Sequence, residues 1–320
     1  MNDKTILITG GAGFIGSNFV HLLNDFGLIK NVVIVDRMTY AANLKNLAEG
    51  PLKKFEVIKA DICDSVAMDR VFEYHKPDYV VNFAAESHVD RSIASSTEFV
   101  MSNVVGVQVL LDASRKFGVK RFLQVSTDEV YGDLGFNELP STETDLLRPS
   151  SPYSATKAAA DLLVLAYGRT HGMDVVITRC SNNYGPRQYP EKLIPLAIKR
   201  LKEGKKVPVY GKGENIRDWI HVNDHCRGIW LALTKGGRNQ IYNFGGKTQV
   251  KNIDLVRSLV KMFGLTADWE GIEFVEDRAG HDLRYDINCW KASAELGWKP
   301  EIGFEEGLKG TVHWYRNVTL

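Results

Sequence analysis

Residues 5–16, TILITGGAGFIG, drive an apolar run straight into a glycine-rich turn and on into a helical pattern. Few folds use such a junction. Gly10, Gly13 and Gly16 fall three apart. Glycine at such places allows a tight turn, a close approach of backbone amides to a pyrophosphate, and a helix seated hard against its strand. The new helix also points its positive end at that spot. A plain strand–turn–helix junction uses glycine too, so the next strand matters. NVVIVD ends in Asp36, 20 residues after Gly16, where an acid can bond ribose hydroxyls. A carboxylate there repels a 2′-phosphate and favours NAD over NADP, while Arg37 beside it is a residue able to accommodate that phosphate.

The alternation continues along the chain. TILIT (5–9), NVVIVD (31–36), FEVIKA (55–60), YVVNFAA (79–85), RFLQVS (121–126) and DVVITRC (174–180) are almost continuously apolar. Such runs predict strands of a parallel sheet covered on both faces. Helical patterns lie between them at 14–26, 65–75, 97–117 and 151–171, so βαβ units and a doubly wound sheet follow. After about residue 180 the pattern breaks. Helix patterns at 193–204 and 252–263 and a short strand at 207–211 predict a smaller α+β portion. The expectation is an α/β chain with a dinucleotide-binding (Rossmann) domain over 1–180, regained at about 215–246, and a substrate-binding domain over 181–320.

Composition excludes several partners. The net charge is +1, which gives no electrostatic case for nucleic acid. The basic cluster at 198–206 reads as a solvated helix face and its exit. No run of about 18 apolar residues suggests a membrane span, and the first residues lack the pattern of a secretory leader. Cys63, Cys180, Cys226 and Cys289 are scattered without CxxC spacing, so disulfides are not expected and the cytoplasm is the simplest setting. His221 and His225 are i and i+4, yet the Glu of HExxH and a third ligand are missing, so both read as structural and no metal is expected.

Two further motifs carry chemistry. Ser151-Pro152 starts a helix, and Tyr153 and Lys157 then share one face of its first turns. A phenol with a pKa of about 10 is ionised in only about one molecule in a thousand at pH 7. Lowering that value by about three units requires roughly 4 kcal/mol, which a neighbouring ammonium and a positively charged nicotinamide can share. On a solvated helix the pair would carry no function; downstream of a dinucleotide motif it does. The second motif is QVSTDEVYG (124–132), where an apolar strand ends in Thr127, Asp128 and Glu129. Acids past a strand end are usually solvated, but the carboxyl edge of a doubly wound sheet is where ligands bind. Two close carboxylates oppose each other's ionisation, which keeps one of them protonated near neutral pH.

The glycine motif, the Thr ending the fifth strand and Tyr153-x-x-x-Lys157 together resemble the extended short-chain dehydrogenase/reductase family, which acts largely on nucleotide sugars. NFAAESHVDRSI (82–93), STDEVYG (126–132), SPYSATKAAAD (151–161), RCSNNYGPRQYPEKLIP (179–195) and RDWIHVNDH (217–225) extend the likeness over essentially the whole chain. They are most similar to the hexose 4,6-dehydratases of that family. The segment Gly132–Pro149 is shorter than in some members.

The resemblance implies a set of roles. NAD is expected at Gly10, Gly13, Phe14, Ile15, Gly16, Asp36, Asp61, Ile62, Ala84, Ala85, Tyr153 and Lys157. The sugar is oxidised at C4 while NAD holds the hydride, which acidifies the C5 proton. Tyr153 is the base at O4 with Thr127 bonding that oxygen, and Lys157 orients the nicotinamide ribose. Glu129 is the base at C5 and Asp128 the acid at O6, after which the hydride returns at C6. Substrate contacts fall to Ser87, His88, Asn182, Lys192, Leu193, Tyr210, Arg217, Asn252, Arg278 and His281, Arg217 having the planar fork that suits a diphosphate.

dTDP-glucose is the expected nucleotide sugar, and UDP-glucose differs from it only at the base. A 4-epimerase or a UDP-glucuronate decarboxylase shares the glycine and Tyr–Lys motifs but needs no acid and base at C5–C6. A non-catalytic NAD-binding scaffold needs none of the set. Finally, AAADLLVLAY (158–167) is apolar nearly all round, whereas a helix covering one sheet face needs a single stripe. Either a second subunit covers the outer face, as in the family's four-helix homodimer interface, or the second domain does.

Overall fold

A computed structural model describes residues 3–29, 31–48, 55–266, 268–278 and 280–318. In chain order its strands are β1 (Thr5–Thr9), β2 (Asn31–Asp36), β3 (Phe55–Lys59), β4 (Tyr79–Asn82), β5 (Arg121–Thr127) and β6 (Val175–Cys180). There follow β7 (Asn182–Tyr184), β8 (Val207–Tyr210), β9 (Ile216–His221), β10 (Gln240–Phe244), β11 (Gln249–Lys251) and β12 (Ile272–Val275). Seven of them form one sheet in the order β10-β6-β5-β4-β1-β2-β3, with every pair parallel. The order reverses between β1 and β4, which opens a crevice at their carboxyl ends.

The apolar runs form strands because both faces are covered. Ile6, Leu7, Ile8, Val80, Phe122, Leu123 and Val176 are fully buried. On one face the sheet packs against helices Phe14–Asp25 and Val222–Lys235 through Phe19, Leu23, Ile229 and Ala232. The other face meets helices Ser65–His75, Gly106–Lys116 and Pro152–His171 through Phe72, Leu110, Ala160 and Val164. The smaller portion carries a three-stranded sheet (β11-β9-β7) and a two-stranded one (β12-β8), sharing a core of Ile198, Trp219 and Leu259.

Two elements differ from the expectation. The helical pattern at 97–117 divides into helix Thr97–Val100, a π-helical turn Met101–Val105 and helix Gly106–Lys116. The extra residue in that turn accompanies an inward-bonded Asn103, described below. The run 79–85 leaves the sheet after Asn82: the Phe83 amide makes the last ladder bond, to the Thr9 carbonyl at 3.1 Å, and the Ala84 amide bonds Thr9 Oγ1 at 3.3 Å. Ala84 then lies against the glycine turn at Gly10. The Gly132–Pro149 segment is stitched to residues 282–288. Asp133 accepts from the Leu283 and Arg284 amides at 2.6 and 3.1 Å, and Ser141 bridges Ile287.

Candidate active site

A cleft of about 380 Å³ follows the carboxyl edge of the large sheet from the glycine turn to the acids that end β5. Gly10 sits at φ 67°, where an added Cβ would lie 2.7 Å from the Ala84 nitrogen. A Cβ on Gly16 would collide with the Gly10 carbonyl. Neither position has room for a side chain. Helix Phe14–Asp25 begins at Gly13 with no side-chain cap and no acid in its first turn. Its positive end, with Gly13, Phe14, Ile15 and Gly16 at the wall, is therefore left for an anion.

Asp36 is buried at the end of β2 and accepts from the amides of Ala12 (3.0 Å) and Met38 (2.8 Å), so it also braces the glycine turn. Arg37 faces three carboxylates: Asp61 at 3.2 Å, Glu98 at 3.4 Å and Glu86 at 3.5 Å. A guanidinium matched in this way is not free for a 2′-phosphate, so the cradle fits an unphosphorylated dinucleotide. Asp61, Ile62, Ala84 and Ala85 line the same end of the cleft. Tyr40 donates to the cleft-lining Glu191 at 3.1 Å beneath the Arg91 guanidinium, which lies 4.4 Å above the ring.

At the other end the chain leaves β5 in a 3-10 turn, Asp128–Tyr131. Thr127 caps it: its Oγ1 accepts from the Glu129 amide at 3.3 Å and donates to Asp128 Oδ1 at 3.2 Å. This turn, too tight for a regular helix, keeps both acids at the sheet edge instead of carrying them into solvent. Asp128 Oδ2 is buried without a partner. Burial, then the Glu129 and Asp218 carboxylates, push the Asp128 pKa well above the usual range. Burial also raises Glu129, but Lys192, Arg217 and Arg278 pull it back. Both acids are thus raised, Asp128 the further because Glu129 and Asp218 add to its burial while three cations oppose the rise at Glu129, so Asp128 is the one that more readily holds a proton.

Tyr153 and Lys157 come from the first turns of helix Pro152–His171. That helix starts with a capping box between Ser151 and Ser154, has Pro152 at its first position, and ends on left-handed Gly172. Both side chains are buried and line the cleft with Thr127, Asp128 and Glu129. The expected lowering of the phenol by its lysine is not what the protein alone provides. Burial, then Glu129, Cys180 and Asp128, hold Tyr153 well above its ordinary value. Lys157 instead gives its ammonium to the Val125 carbonyl at 2.7 Å. Sharing a helix face set the pair side by side, but the neighbouring acids dominate the phenol's electrostatics.

The expected substrate residues divide in two. Ser87, Asn182, Lys192 and Leu193 line the cleft, with Lys192 Nζ donating to the Ser87 carbonyl at 2.7 Å. His88, Tyr210, Arg217, Asn252, Arg278 and His281 lie outside its lining. Tyr210 and Arg278 converge on Asp90 at 3.2 and 3.5 Å, and His281 bonds Asp277 at 2.7 Å. His88 caps helix Val89–Ala94. Arg217 is buried on β9, donating to the carbonyls of Ile216 (2.8 Å) and Asp282 (2.9 Å) and stacking on Tyr285. The Asn252 side-chain oxygen Oδ1 is buried without a partner. His221 caps helix Val222–Lys235, and His225 bonds Asn183 at 2.9 Å.

Sequence reasoning passed over Asn103. From the π-helical turn its amide donates to the Glu86 carbonyl and Thr156 Oγ1, both at 3.0 Å, and its oxygen accepts from the Glu86 amide at 2.9 Å. It thus ties the loop after β4 to the tyrosine helix. The available signal was a polar side chain inside an otherwise apolar helical run.

A family model described as GDP-mannose 4,6 dehydratase matches residues 7–311. A dTDP-glucose 4,6-dehydratase of Actinoplanes sp. is 50% identical over 317 residues, covering 97% of each chain. The solved dTDP-glucose 4,6-dehydratase DesIV of Streptomyces venezuelae, with NAD bound, is 45% identical, covers 98% of this chain and 97% of its own, and superposes with a TM-score of 0.94. The UDP-glucose 4-epimerase of Thermotoga maritima, at 32% identity and coverage of 98% of both chains, still reaches 0.90. Overall shape is thus shared across chemistries. The chain belongs to the GDP-mannose 4,6 dehydratase family, among relatives named dTDP-glucose 4,6-dehydratase.

Proposed function

We propose that this chain is an NAD-dependent dTDP-glucose 4,6-dehydratase that converts its substrate to dTDP-4-keto-6-deoxyglucose. One observation carries the reading: two adjacent acids, Asp128 and the less strongly raised Glu129, share a cleft with Thr127, Tyr153 and Lys157. A 4-epimerase has no use for an acid and a base on neighbouring carbons. The full set likewise leaves a non-catalytic scaffold without support.

In this reading Gly10, Gly13, Phe14, Ile15 and Gly16 hold the pyrophosphate, Asp36 the adenosine ribose, and Asp61, Ile62, Ala84 and Ala85 the adjoining wall. NAD, when bound, supplies a hydride acceptor for C4 and returns that hydride at C6. Tyr153 takes the O4 proton, Thr127 bonds O4, and the Lys157 ammonium one helical turn on opposes the acids that disfavour a phenolate. Glu129 then removes the C5 proton, which the C4 ketone has acidified. Asp128 delivers its proton to O6, the C6–O6 bond breaks, and water leaves. Glu129 ends protonated and Asp128 ionised, and the acid form of Glu129 then protonates C5 as the hydride arrives at C6. Ser87, His88, Asn182, Lys192, Leu193, Tyr210, Arg217, Asn252, Arg278 and His281 serve the glucosyl and nucleotide diphosphate portions.

The assembly proposed is a homodimer. Ala155, Leu162 and Ala166 of the tyrosine helix are exposed beside Val100 and Met101, so the smaller portion of this chain does not cover that face. A second copy, adding two helices to two, supplies an apolar cover. No helix among the described residues is long and apolar enough to cross a membrane. With all four cysteines free, a cytoplasmic setting is the one we propose.

Incubation with NAD and dTDP-, UDP-, GDP- or CDP-glucose tests the assignment. The 4-keto-6-deoxy product should form fastest from the dTDP sugar. A higher rate from UDP-glucose would replace the nucleotide, and epimerised product without water loss would replace the reaction.

A further inference from the structure

Arg179 lies at the middle of the core and has no place in the chemistry above. It is 2% exposed, and its Nε donates to Asp161 Oδ2 at 2.9 Å, Asp161 itself being fully buried. A buried ion pair is weak evidence for stability, because desolvating both ions offsets their attraction and an apolar pair of similar volume commonly does as well. What distinguishes this pair is its neighbours. Asp161 follows Lys157 by one helical turn, so the two occupy the same helix face. The Arg179 guanidinium lies 4.8 Å from the ring centroid of Tyr131, and Tyr131 closes the 3-10 turn that carries Asp128 and Glu129. Tyr131 OH in turn donates to Asn243 at 2.8 Å, on the strand beside Arg179.

We infer that Asp161 and Arg179 form a positioning unit: Asp161 is the counter-charge that keeps the Lys157 ammonium protonated, and Arg179 fixes Asp161 while bracing the acid turn through Tyr131. The electrostatics around Lys157 agree. Burial lowers its pKa, and Asp161 is the largest influence opposing that. The groups facing Lys157 are few. Its own helix presents Asp161 and Tyr153, β6 presents Cys180 and β5 presents the Val125 carbonyl, while Asp128 and Glu129 of the acid turn line the same cleft. Burial raises the Asp161 pKa, and Arg179 is the largest influence opposing that rise. Without that carboxylate, Lys157 loses its proton at lower pH and the site loses the charge that opposes its acids.

The inference rests on the proposed reaction only for its activity readout, so the primary test is independent of turnover. The Lys157 13Cε resonance is followed through pH in full-length, lysine-labelled protein and identified by its loss in Lys157→Met. Wild type is compared with Asp161→Asn, with the double variant Asp161→Asn/Arg179→Gln, and with Arg179→Lys. Asp161→Asn alone leaves Arg179 buried and unpaired and melts early, whereas the double variant removes both charges and recovers much of that loss. In both, Lys157 should titrate about one pH unit lower than in wild type, with the alkaline limb of turnover moving alongside. Arg179→Lys, which retains a cation for Asp161, should leave the titration near its wild-type position. An unshifted Lys157 titration in the double variant would overturn the inference and reduce the pair to packing. A shifted titration in a protein that turns over no nucleotide hexose would support the inference and reject the proposed reaction.

Discussion

Replacing Asp128 with Asn separates chemistry from stability at one atom. The side chain is 3% exposed, its Oδ1 accepts from Thr127, and its Oδ2 has no partner. Burial and two neighbouring carboxylates favour its neutral form, and asparagine matches that form in shape while keeping the Thr127 hydrogen bond. The sign of the linkage follows. A carboxyl group whose folded pKa lies above its unfolded value of about 3.9 weakens the fold as pH rises from about 4 to the folded pKa. Asp128→Asn removes that loss, so the variant should be at least as stable as wild type at neutral pH, with the difference opening above about pH 4.

Activity should move the other way. Losing a general acid costs about 10²- to 10⁴-fold, or roughly 2.7–5.4 kcal/mol of barrier. The assay follows product formation together with exchange of the C5 hydrogen for solvent deuterium. Exchange should persist, since Glu129 is intact, while water loss stalls. Turnover within tenfold of wild type, or a melting temperature several degrees below it, would refute the assignment of Asp128 as a buried, protonated acid.

Two other outcomes are expected. Glu129→Gln should abolish C5 exchange and slow overall turnover by about 10²- to 10⁴-fold while C4 oxidation continues; retained exchange would mean another base. Leu162→Arg places a cation on the apolar stripe of the tyrosine helix, where Leu162 is 58% exposed. Sedimentation should then show a folded particle near the 35.9 kDa of one chain in place of a dimer, and an unchanged sedimentation rate would reject that interface.

The parallel sheet was readable because its inner strands are buried on both faces, which leaves continuous apolar runs with little ambiguity. The tyrosine helix was readable from Ser151-Pro152, and in the structure Ser151 caps it in a capping box with Ser154. What pattern alone missed depends on contacts between distant segments. Asn103 looks like an interruption until Glu86 and Thr156 are placed beside it. Arg37 looks available to a phosphate until Asp61, Glu86 and Glu98 surround it. The Tyr153–Lys157 spacing gave proximity correctly, but the sign of the phenol's shift belongs to burial and to Glu129 and Asp128, whose approach is set by the 3-10 turn that follows β5. Cysteine, histidine and aspartate in the core, such as Cys180, His225 and Asp161, carry no periodic signal at all.

The account stands on elimination occurring between the removal of a hydride and its return. Substrate deuterated at glucose C4 tests this directly when turned over by the wild-type protein in ordinary water. The label should appear at C6 of a 4-keto-6-deoxy sugar, with solvent hydrogen at C5. Label returned to C4, with the 6-hydroxyl retained, would contradict the central claim.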